Sequence, residues 1–272
     1  MTDQPQNKPP AINDLLDIMA RLRDPDNGCP WDREQTFETI APYTIEEAYE
    51  VADAIESGDM EQLEDELGDL LFQVVFYAQM SRETGGFDFD AVARRISTKM
   101  RDRHPHVFGA VDERTSEGQT IAWEAQKAQE REARAARTGQ KPSALDGVAL
   151  ALPALMRAQK LQKRAAREGF DWPDLPPVIA KIREELAELE SEIDAKADIG
   201  RLQDEAGDLL FAAVNLARHL GVDAEIALRG TNAKFERRFR QVEQGLEKEG
   251  KSLNEADLDE MESHWVAAKA AE

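Results

Sequence analysis

The stretch that decides the fold is an acidic and apolar pattern that the chain carries twice. One copy reads EELAE at 184–188 and QDEAGDLLFAAVN at 203–215; the other reads EEAYE at 46–50 and EDELGDLLFQVVF at 64–76. In each copy, two carboxylates lie three residues apart, and a second such pair follows about one helix later. Residues three apart lie ~60° apart on one face of an α-helix. Each copy therefore predicts two helices that present paired carboxylates.

The repeat extends over most of the chain. Further matches in the same order are 28–32 with 169–174, Lys99 and Arg103 with Lys234 and Arg238, and Trp123 and Lys127 with Trp265 and Lys269. Apolar spacing is helical throughout and strand signals are absent, so the predicted fold class is all-α, with two homologous helical-bundle domains. The predicted organisation is a disordered N-terminus at 1–10, a helical domain at 11–137, a linker at 138–147 and a second helical domain at 148–272.

Composition limits the partners and the cellular compartment that we expect. The chain has 272 residues and a formal net charge of −21, which would repel the polyanionic backbone of nucleic acid. The one cysteine, Cys29, excludes an internal disulfide and fits a reducing compartment. The start of the chain lacks the layout of a signal peptide, and the longest apolar stretch, 67–80, is too short to span a bilayer. We expect a cytoplasmic protein that binds neither nucleic acid nor membranes.

The acidic positions have two interpretations, a solvated helix face or a metal site. An acidic helix face is usually solvated surface, but the apolar residues of 209–217 predict a largely buried second helix, where carboxylates need a partner. Oxygen ligands suit Mg²⁺ or Mn²⁺, whereas a di-iron bundle would need histidine three residues after a glutamate, which is absent. The candidate metal ligands are Glu185, Glu188, Glu205 and Asp208, and a second set, expected to be non-catalytic, is Glu47, Glu50, Glu66 and Asp69.

Basic residues distinguish the two copies. The second copy adds Lys181, Arg183 and Arg201 to the pair Lys234 and Arg238, whereas the first keeps only the matching Lys99 and Arg103. Cations beside a carboxylate–metal cluster favour a polyphosphate that bridges metal and protein, while the alternative is ordinary salt bridging along the helices. Together they favour the C-terminal domain as the one that handles nucleotide. Asn215 shares the helix arc of the second carboxylate pair and is a weaker candidate for contact with the base.

These motifs resemble those of the two-domain bacterial MazG family of nucleoside triphosphate pyrophosphohydrolases, over about 11–269. The resemblance rests on GCPWDREQT, PYTIEEAYEVADAI, DELGDLLFQVVFYAQM and RHPHVF in the first half, and on GFDW, EELAELE, DEAGDLLFAAVNLARHLG and TNAKFERRF in the second. It implies helix bundles that pair into homodimers, Mg²⁺ on the acidic residues, and cleavage of NTPs such as ATP, or of dNTPs, between the α and β phosphates. The products would be NMP and pyrophosphate, in housecleaning of the nucleotide pool.

The resemblance also implies roles for particular residues. It assigns the Mg²⁺ ligands to Glu185, Glu188, Glu205 and Asp208, and the nucleotide contacts to Lys181, Arg183, Glu185, Arg201, Asp204, Asp208, Lys234, Arg238 and Trp265. Phe37 departs from the family pattern, which usually has histidine there.

Two questions stay open from the sequence. Glu184 pairs with Glu188 on the helix as well as Glu185 does, so helix geometry does not decide which of the two is ligand and which is general base. The competing function is a helical module that senses nucleotide or binds a partner without hydrolysis.

Trp31 and Trp172 are expected to anchor loops in the core.

Overall fold

A computed structural model describes residues 10–109, 141 and 143–271. Every regular element in this part of the chain is a helix, so the all-α prediction is confirmed. The N-terminal helices are α1 (Ala11–Leu22), α2 (Pro30–Glu34), α3 (Phe37–Ser57), α4 (Met60–Glu83), α5 (Phe89–Arg103) and α6 (Pro105–Phe108). The C-terminal helices are α7 (Ala154–Arg167), α8 (Leu175–Asp194), α9 (Ile199–His219), α10 (Ala224–Lys248) and α11 (Leu258–Ala270).

The chain divides into two compact units, Met1–Gln126 and Lys127–Glu272. The predicted disordered terminus at 1–10, the boundary at 137, Trp123 and Lys127 lie outside the described residues, apart from Pro10. The predicted linker at 138–147 is described only in part. Within the described part of the chain, no helix is both long and apolar enough to cross a membrane.

Each unit is built on one helical hairpin, α3–α4 in the first and α8–α9 in the second, and each hairpin carries one copy of the acidic pattern. Both second helices begin at an aspartate N-cap. Asp59 accepts hydrogen bonds of 3.1 Å from the amides of Glu61 and Gln62, and Asp198 accepts one of 2.8 Å from the amide of Gly200. Such caps satisfy amide donors that the helix leaves unpaired. The first hairpin turns at Gly58, whose left-handed φ of 74° favours glycine.

Helix α3 starts at Phe37, five residues before Pro42. A capping box fixes this start, because Thr36 and Thr39 each accept a hydrogen bond from the other's backbone amide. The helix then continues through Pro42. Phe37, at the start of this helix, stacks on the ring of Tyr77 at 5.8 Å between centroids. The residue that departs from the family pattern therefore has an aromatic packing role.

The core of the first unit lies where α1 and α3 pack on α4. Its fully buried members are Met19, Ile40, Val75, Phe76 and Met80. Arg23, at the end of α1, places its guanidinium 5.4 Å from the centre of the Phe76 ring and pairs with Glu83 at 2.7 Å. It also donates to the backbone carbonyls of Asp32 and Gln35. The Arg23 side chain thus connects the end of α1 to α4 and to the segment formed by α2 and Gln35.

In the second unit, α7 packs against α9 and α10, and α10 packs against α11. Gln159 of α7 donates to the carbonyl of Val222 at 3.2 Å and accepts from the amide of Ala224. Buried apolar side chains of this unit include Val178, Val214, Val242 and Leu246.

Two expectations about burial are wrong. Helix α9 is not largely buried in the single chain, because Leu210 keeps 59% of its surface exposed and Phe211 is also exposed. The apolar arc of this helix is wider than the contact that α7 and α8 make with it. Trp31 and Trp172 are half exposed rather than core anchors. Trp31 instead makes an edge-to-face contact with Tyr43, and Trp172 lines a cavity described below.

We predict that Phe76→Ala lowers the free energy of unfolding of the first unit by about 3–5 kcal/mol, because it empties a fully buried aromatic position. Urea unfolding followed by circular dichroism measures the change. The control is Ile55→Ala on α3, where the side chain is 62% exposed and the expected change is within about 0.5 kcal/mol. Equal effects of the two substitutions would contradict the packing described here.

Candidate metal and nucleotide site

The C-terminal hairpin brings three predicted metal ligands together. Glu185 comes from α8, and Glu205 and Asp208 come from successive turns of α9. Each offers a carboxylate oxygen, and these oxygens lie within 4.8 Å of one another. Glu185 is 5% exposed, Glu205 is half-buried and Asp208 is exposed. We call these residues the C-terminal trio.

The fourth predicted ligand, Glu188, lies beside the trio rather than in it. Partial desolvation, followed by the negative charge of Glu185, raises the pKa of the Glu188 carboxyl. Glu188 therefore belongs to the same concentration of negative charge, one turn further along α8. The like charges repel one another, and the repulsion favours a cation at this end of the hairpin.

Two of the predicted cations contact this acidic group. Lys181 of α8 forms ion pairs of 2.8 Å with both Glu184 and Glu185, and these bonds raise the pKa of Lys181. Arg201 of α9 contacts Glu192 and lies 3.4 Å from Glu205. Both cations are partly exposed, so they remain accessible to a negatively charged ligand.

A second group of predicted nucleotide contacts lies on α10 and α11. Arg238 lies 5.7 Å from the centre of the Trp265 ring, which also packs on Phe235 at 5.2 Å. This aromatic and cationic group joins α10 to α11, and Lys234 lies one turn before Arg238. None of Lys234, Arg238 and Trp265 lines the cavity described next. Arg183 and Asp204 are exposed on α8 and α9, and their contact with nucleotide stays a prediction.

A cavity of about 480 Å³ opens directly beside the C-terminal trio. Glu185, Asp208 and Lys181 form its charged edge. The remaining wall is largely apolar and comes from α7, α8, α9, the loop before α8 and the segment before α7. Its members are Leu145, Leu161, Gln162, Ala165, Phe170, Trp172, Val178, Phe211, Ala212, Asn215 and Arg218. An apolar cavity with a few convergent polar groups is the usual form of a small-molecule site.

Several of these wall residues were not predicted from the sequence. Gln162 comes from α7, which the acidic pattern does not reach, and Phe170 and Asp171 precede Trp172 in a short loop. Arg218 of α9 holds that loop, because it donates to Asp171 at 2.8 Å. The match between the loops at 28–32 and 169–174 was the available signal, since it placed the loop at the same point of both repeats.

The N-terminal hairpin gathers the equivalent carboxylates, Glu47, Glu66 and Asp69, within the same 4.8 Å limit. Glu50 lies beside them rather than among them. Burial raises the pKa of Glu47, and the charges of Asp69 and Glu50 add to this. Gln73 donates a hydrogen bond of 3.3 Å to Glu47. We call Glu47, Glu66 and Asp69 the N-terminal trio.

The surroundings of the two trios differ at the positions that matter for a cavity. Alignment on the shared GDLLF places Gln73 opposite Ala212 and Phe76 opposite Asn215. Gln73 is buried against Glu47, and Phe76 is part of the hydrophobic core. In the first unit, larger side chains therefore stand where Ala212 and Asn215 line the cavity of the second.

The donor sets of both trios fit a hard divalent cation. They supply carboxylate oxygens, which Mg²⁺ and Mn²⁺ prefer, and their oxygens are close enough to share one ion. Burial, followed by the charges of Asp69 and Glu50, raises the pKa of Glu47, and a bound cation would offset both effects. Among the described residues, these two trios are the groups of acidic, histidine or cysteine side chains with this geometry.

Comparison with known proteins agrees with the repeated site. The model of the MazG nucleotide pyrophosphohydrolase domain matches twice, at residues 35–108 and 177–243. The chain belongs to the MazG family. Both matched segments contain a complete acidic set, so each half of the chain carries a MazG domain.

Two relatives that are named as nucleoside triphosphate pyrophosphohydrolases align along nearly the whole chain. The nucleoside triphosphate pyrophosphohydrolase of Escherichia coli K12 is 54% identical over 262 residues, which cover 96% of this chain and 98% of that protein. The nucleoside triphosphate pyrophosphohydrolase/pyrophosphatase MazG of Thermotoga maritima is 42% identical over 263 residues, with 96% of each chain covered. The two-domain organisation is therefore shared with these relatives.

We predict that millimolar Mg²⁺ or Mn²⁺ raises the midpoint of thermal unfolding, because a cation that binds the folded trio stabilises it by mass action. Replacing Glu185 by Gln and Asp208 by Asn reduces this shift. The control is Glu190→Gln at an exposed position of α8, which retains it. Differential scanning calorimetry measures the shift. The same shift in the wild-type protein, in the variant with both Glu185→Gln and Asp208→Asn, and in Glu190→Gln would exclude the C-terminal trio as a cation site.

Proposed function

We propose that this chain is a nucleoside triphosphate pyrophosphohydrolase whose active site is the C-terminal trio with its adjoining cavity. The observation that carries the proposal is that the trio and the cavity have two residues in common, because Glu185 and Asp208 belong both to the trio and to the cavity edge. A ligand seated there presents one end to the acidic group and the other to an apolar cavity. A nucleotide has this layout, with a polyphosphate at one end and a base at the other.

The cavity and its charges support the two ends of that ligand. Its volume of about 480 Å³ accommodates a nucleoside, and Phe170, Trp172 and Phe211 supply aromatic surface for a base. Lys181 and Arg201 stand at the acidic end, where phosphate oxygens would replace part of their present ion pairs. The names of the two full-length relatives agree with this substrate class.

Glu185, Glu205 and Asp208 would hold Mg²⁺, or Mn²⁺ in its place, with Glu188 close beside them. When bound, the cation supplies neutralisation of phosphate charge and activation of water. The reaction adds water to the α phosphorus and breaks its bond to the bridging oxygen, which leaves with the β and γ phosphates as pyrophosphate. Lys181 and Arg201 stabilise the negative charge that develops on the leaving group.

The proton of the attacking water goes to one of two carboxylates that stand outside the trio, Glu184 or Glu188. Glu184 is exposed and paired with Lys181 at 2.8 Å, at the edge of the acidic group. Glu188 lies one turn further along α8. The pH dependence of kcat in Glu184→Gln and Glu188→Gln separates the two, because loss of the base removes the acid limb of the profile.

The N-terminal half binds the same cation without comparable turnover in this proposal. Its trio is complete, but Gln73 and Phe76 stand where the second unit has its cavity wall. Tyr43 replaces Lys181, and Gln62 replaces Arg201. The first copy therefore lacks both the space for a base and the cations for a leaving group. We propose breadth over NTPs and dNTPs, and with it a housecleaning role, and the largely apolar cavity wall supports this breadth.

We predict that Glu185→Gln and Asp208→Asn each lower pyrophosphate release from NTPs by roughly 100-fold or more, because each removes a ligand from the charged centre. A coupled assay of pyrophosphate with Mg²⁺ measures this, and far-ultraviolet circular dichroism checks that the helices persist. The control is the matched double variant Glu50→Ala with Asp69→Ala, which keeps most of the activity. Silencing by the N-terminal pair would place the active site in the other half.

The competing function, nucleotide sensing without hydrolysis, predicts a different result in the same assay. If the protein is a sensor, the wild-type chain binds NTP but releases no pyrophosphate in the presence of Mg²⁺ or Mn²⁺. Absence of release over a panel of NTPs and dNTPs, with binding retained, would replace the proposed activity by this one.

We also propose that two copies of the chain pair into a homodimer through the apolar surface that α8 and α9 leave exposed. Leu186, Ile193, Leu210 and Phe211 contribute to this surface. We predict that Leu210→Asp shifts the protein towards the mass of one chain, 30.5 kDa, because burial of a charge disfavours the interface. Size exclusion with light scattering measures the mass, and a wild-type mass of 30.5 kDa would contradict the pairing.

A further inference from the structure

Two buried amide side chains are among the residues that line the cavity. Asn215 of α9 is 7% exposed and Gln162 of α7 is 8% exposed. Both line the cavity next to the aromatic residues Phe170 and Phe211. An amide has one donor group and one acceptor, so its orientation decides which of the two a ligand meets.

The orientation of Asn215 is fixed by its neighbour on the helix. Arg218 donates to the Oδ1 atom of Asn215 from Nε at 3.0 Å and from Nη2 at 2.8 Å. A guanidinium has no acceptor, so the oxygen of the amide must be the atom that faces it. The NH₂ group of Asn215 is then left for the cavity, where it acts as a hydrogen-bond donor.

Arg218 is itself held in place from outside the helix. Its Nη1 donates to Oδ2 of Asp171 at 2.8 Å, and His219 contacts Oδ1 of the same carboxylate at 3.0 Å. The hydrogen bonds from Arg218 hold the pKa of Asp171 below its usual range, so the pair stays charged at neutral pH. This arrangement prevents Arg218 from turning away and releasing Asn215.

The orientation of Gln162 is fixed in the opposite sense. Its Nε2 donates to the backbone carbonyl of Phe211 at 2.8 Å, and a carbonyl can only accept. The remaining atom, Oε1, is buried and has no hydrogen-bond partner among the described residues. A buried acceptor without a partner is costly, which is why such groups commonly bond a ligand or water.

We propose that Asn215 and Gln162 recognise the nucleobase, Asn215 by donating to it and Gln162 by accepting from it, with Arg218 as the positioning residue of Asn215. This proposal rests on the proposed function, because it seats the base in the cavity. The two amides lie near each other, since the carbonyl that binds Gln162 belongs to Phe211, one turn before Asn215. The cavity therefore favours bases that carry a neighbouring acceptor and donor on one edge.

The common bases all have such an edge, which fits an enzyme of broad substrate range. Adenine supplies a ring nitrogen as acceptor and its 6-amino group as donor. Purine riboside 5′-triphosphate has the same ring, sugar and phosphates but lacks the amino group. It would leave the oxygen of Gln162 without a partner, and a site built to bond a substrate NH discriminates strongly against the analogue without it.

The test compares kcat/KM for ATP and for purine riboside 5′-triphosphate. We expect the wild-type protein to prefer ATP by about tenfold or more. Gln162→Met keeps the side-chain length but removes the acceptor, and we expect the preference to fall below about threefold. The matched control is Gln159→Met on the same helix, which is also buried but does not line the cavity, and it keeps the wild-type preference.

The donor is tested with Asn215→Asp, which has the same shape and no NH₂ group. We expect KM for ATP, CTP and UTP to rise about tenfold, with a smaller change in kcat, and GTP to be affected less, because the new carboxylate only accepts and, of the four bases, guanine alone has two neighbouring donors on one edge. Arg218→Met frees the Asn215 amide to rotate and changes the relative kcat/KM values of the four NTPs in the same way. Arg218→Lys still donates to Oδ1 and restores part of the wild-type pattern, which a purely structural role of Arg218 would not produce.

The outcomes separate this inference from the proposed function. Release of pyrophosphate from none of the NTPs by the wild-type protein would overturn both. Wild-type activity with equal use of ATP and purine riboside 5′-triphosphate, or a preference that survives in Gln162→Met, would overturn the role of Gln162 alone. A common decrease for all four NTPs in Asn215→Asp, with unchanged relative values, would overturn base recognition by Asn215 and leave the proposed function intact.

Discussion

Repulsion between carboxylates on the two helices of a hairpin is the constraint on which the rest of the structure depends. In each unit, one glutamate of the first helix meets a glutamate and an aspartate of the second within 4.8 Å. Three negative charges at that distance destabilise the hairpin unless cations or hydrogen bonds compensate them. In the second unit, Lys181 and Arg201 supply part of the compensation, whereas in the first Gln73 and Gln62 contribute only neutral hydrogen bonds, to Glu47 and Glu66.

The two copies of the helical hairpin have different surroundings. In the first unit, Phe76 completes a packed core with Met19 and Ile40, so the space beside the trio is filled. In the second, Asn215 stands at the matching position and a cavity opens. Phe76 stabilises the core of the first unit, whereas the amide at the matching position, Asn215, lines a cavity that a ligand can enter.

The amides of the cavity illustrate how specificity can arise from neighbours rather than from the residue itself. Asn215 and Gln162 each contain a donor and an acceptor, so their identity alone leaves the recognised group undecided. Arg218, which only donates, and the Phe211 carbonyl, which only accepts, determine which atom of each amide faces them. The ion pair of Arg218 with Asp171 extends this control to the loop before α8.

The sequence by itself determined the helices and the pairing of carboxylates along each of them, because helix periodicity is local and the acidic pattern has helical spacing. It also identified the family, since the motifs are continuous segments. Only the tertiary structure decided the cavity, the exposed face of α9 and the orientation of the two amides. The contacts that set these features, such as Asp171 with Arg218 and Gln162 with Phe211, join residues 47 and 49 positions apart in the chain. No local pattern records such contacts, because they arise from the way that neighbouring helices pack.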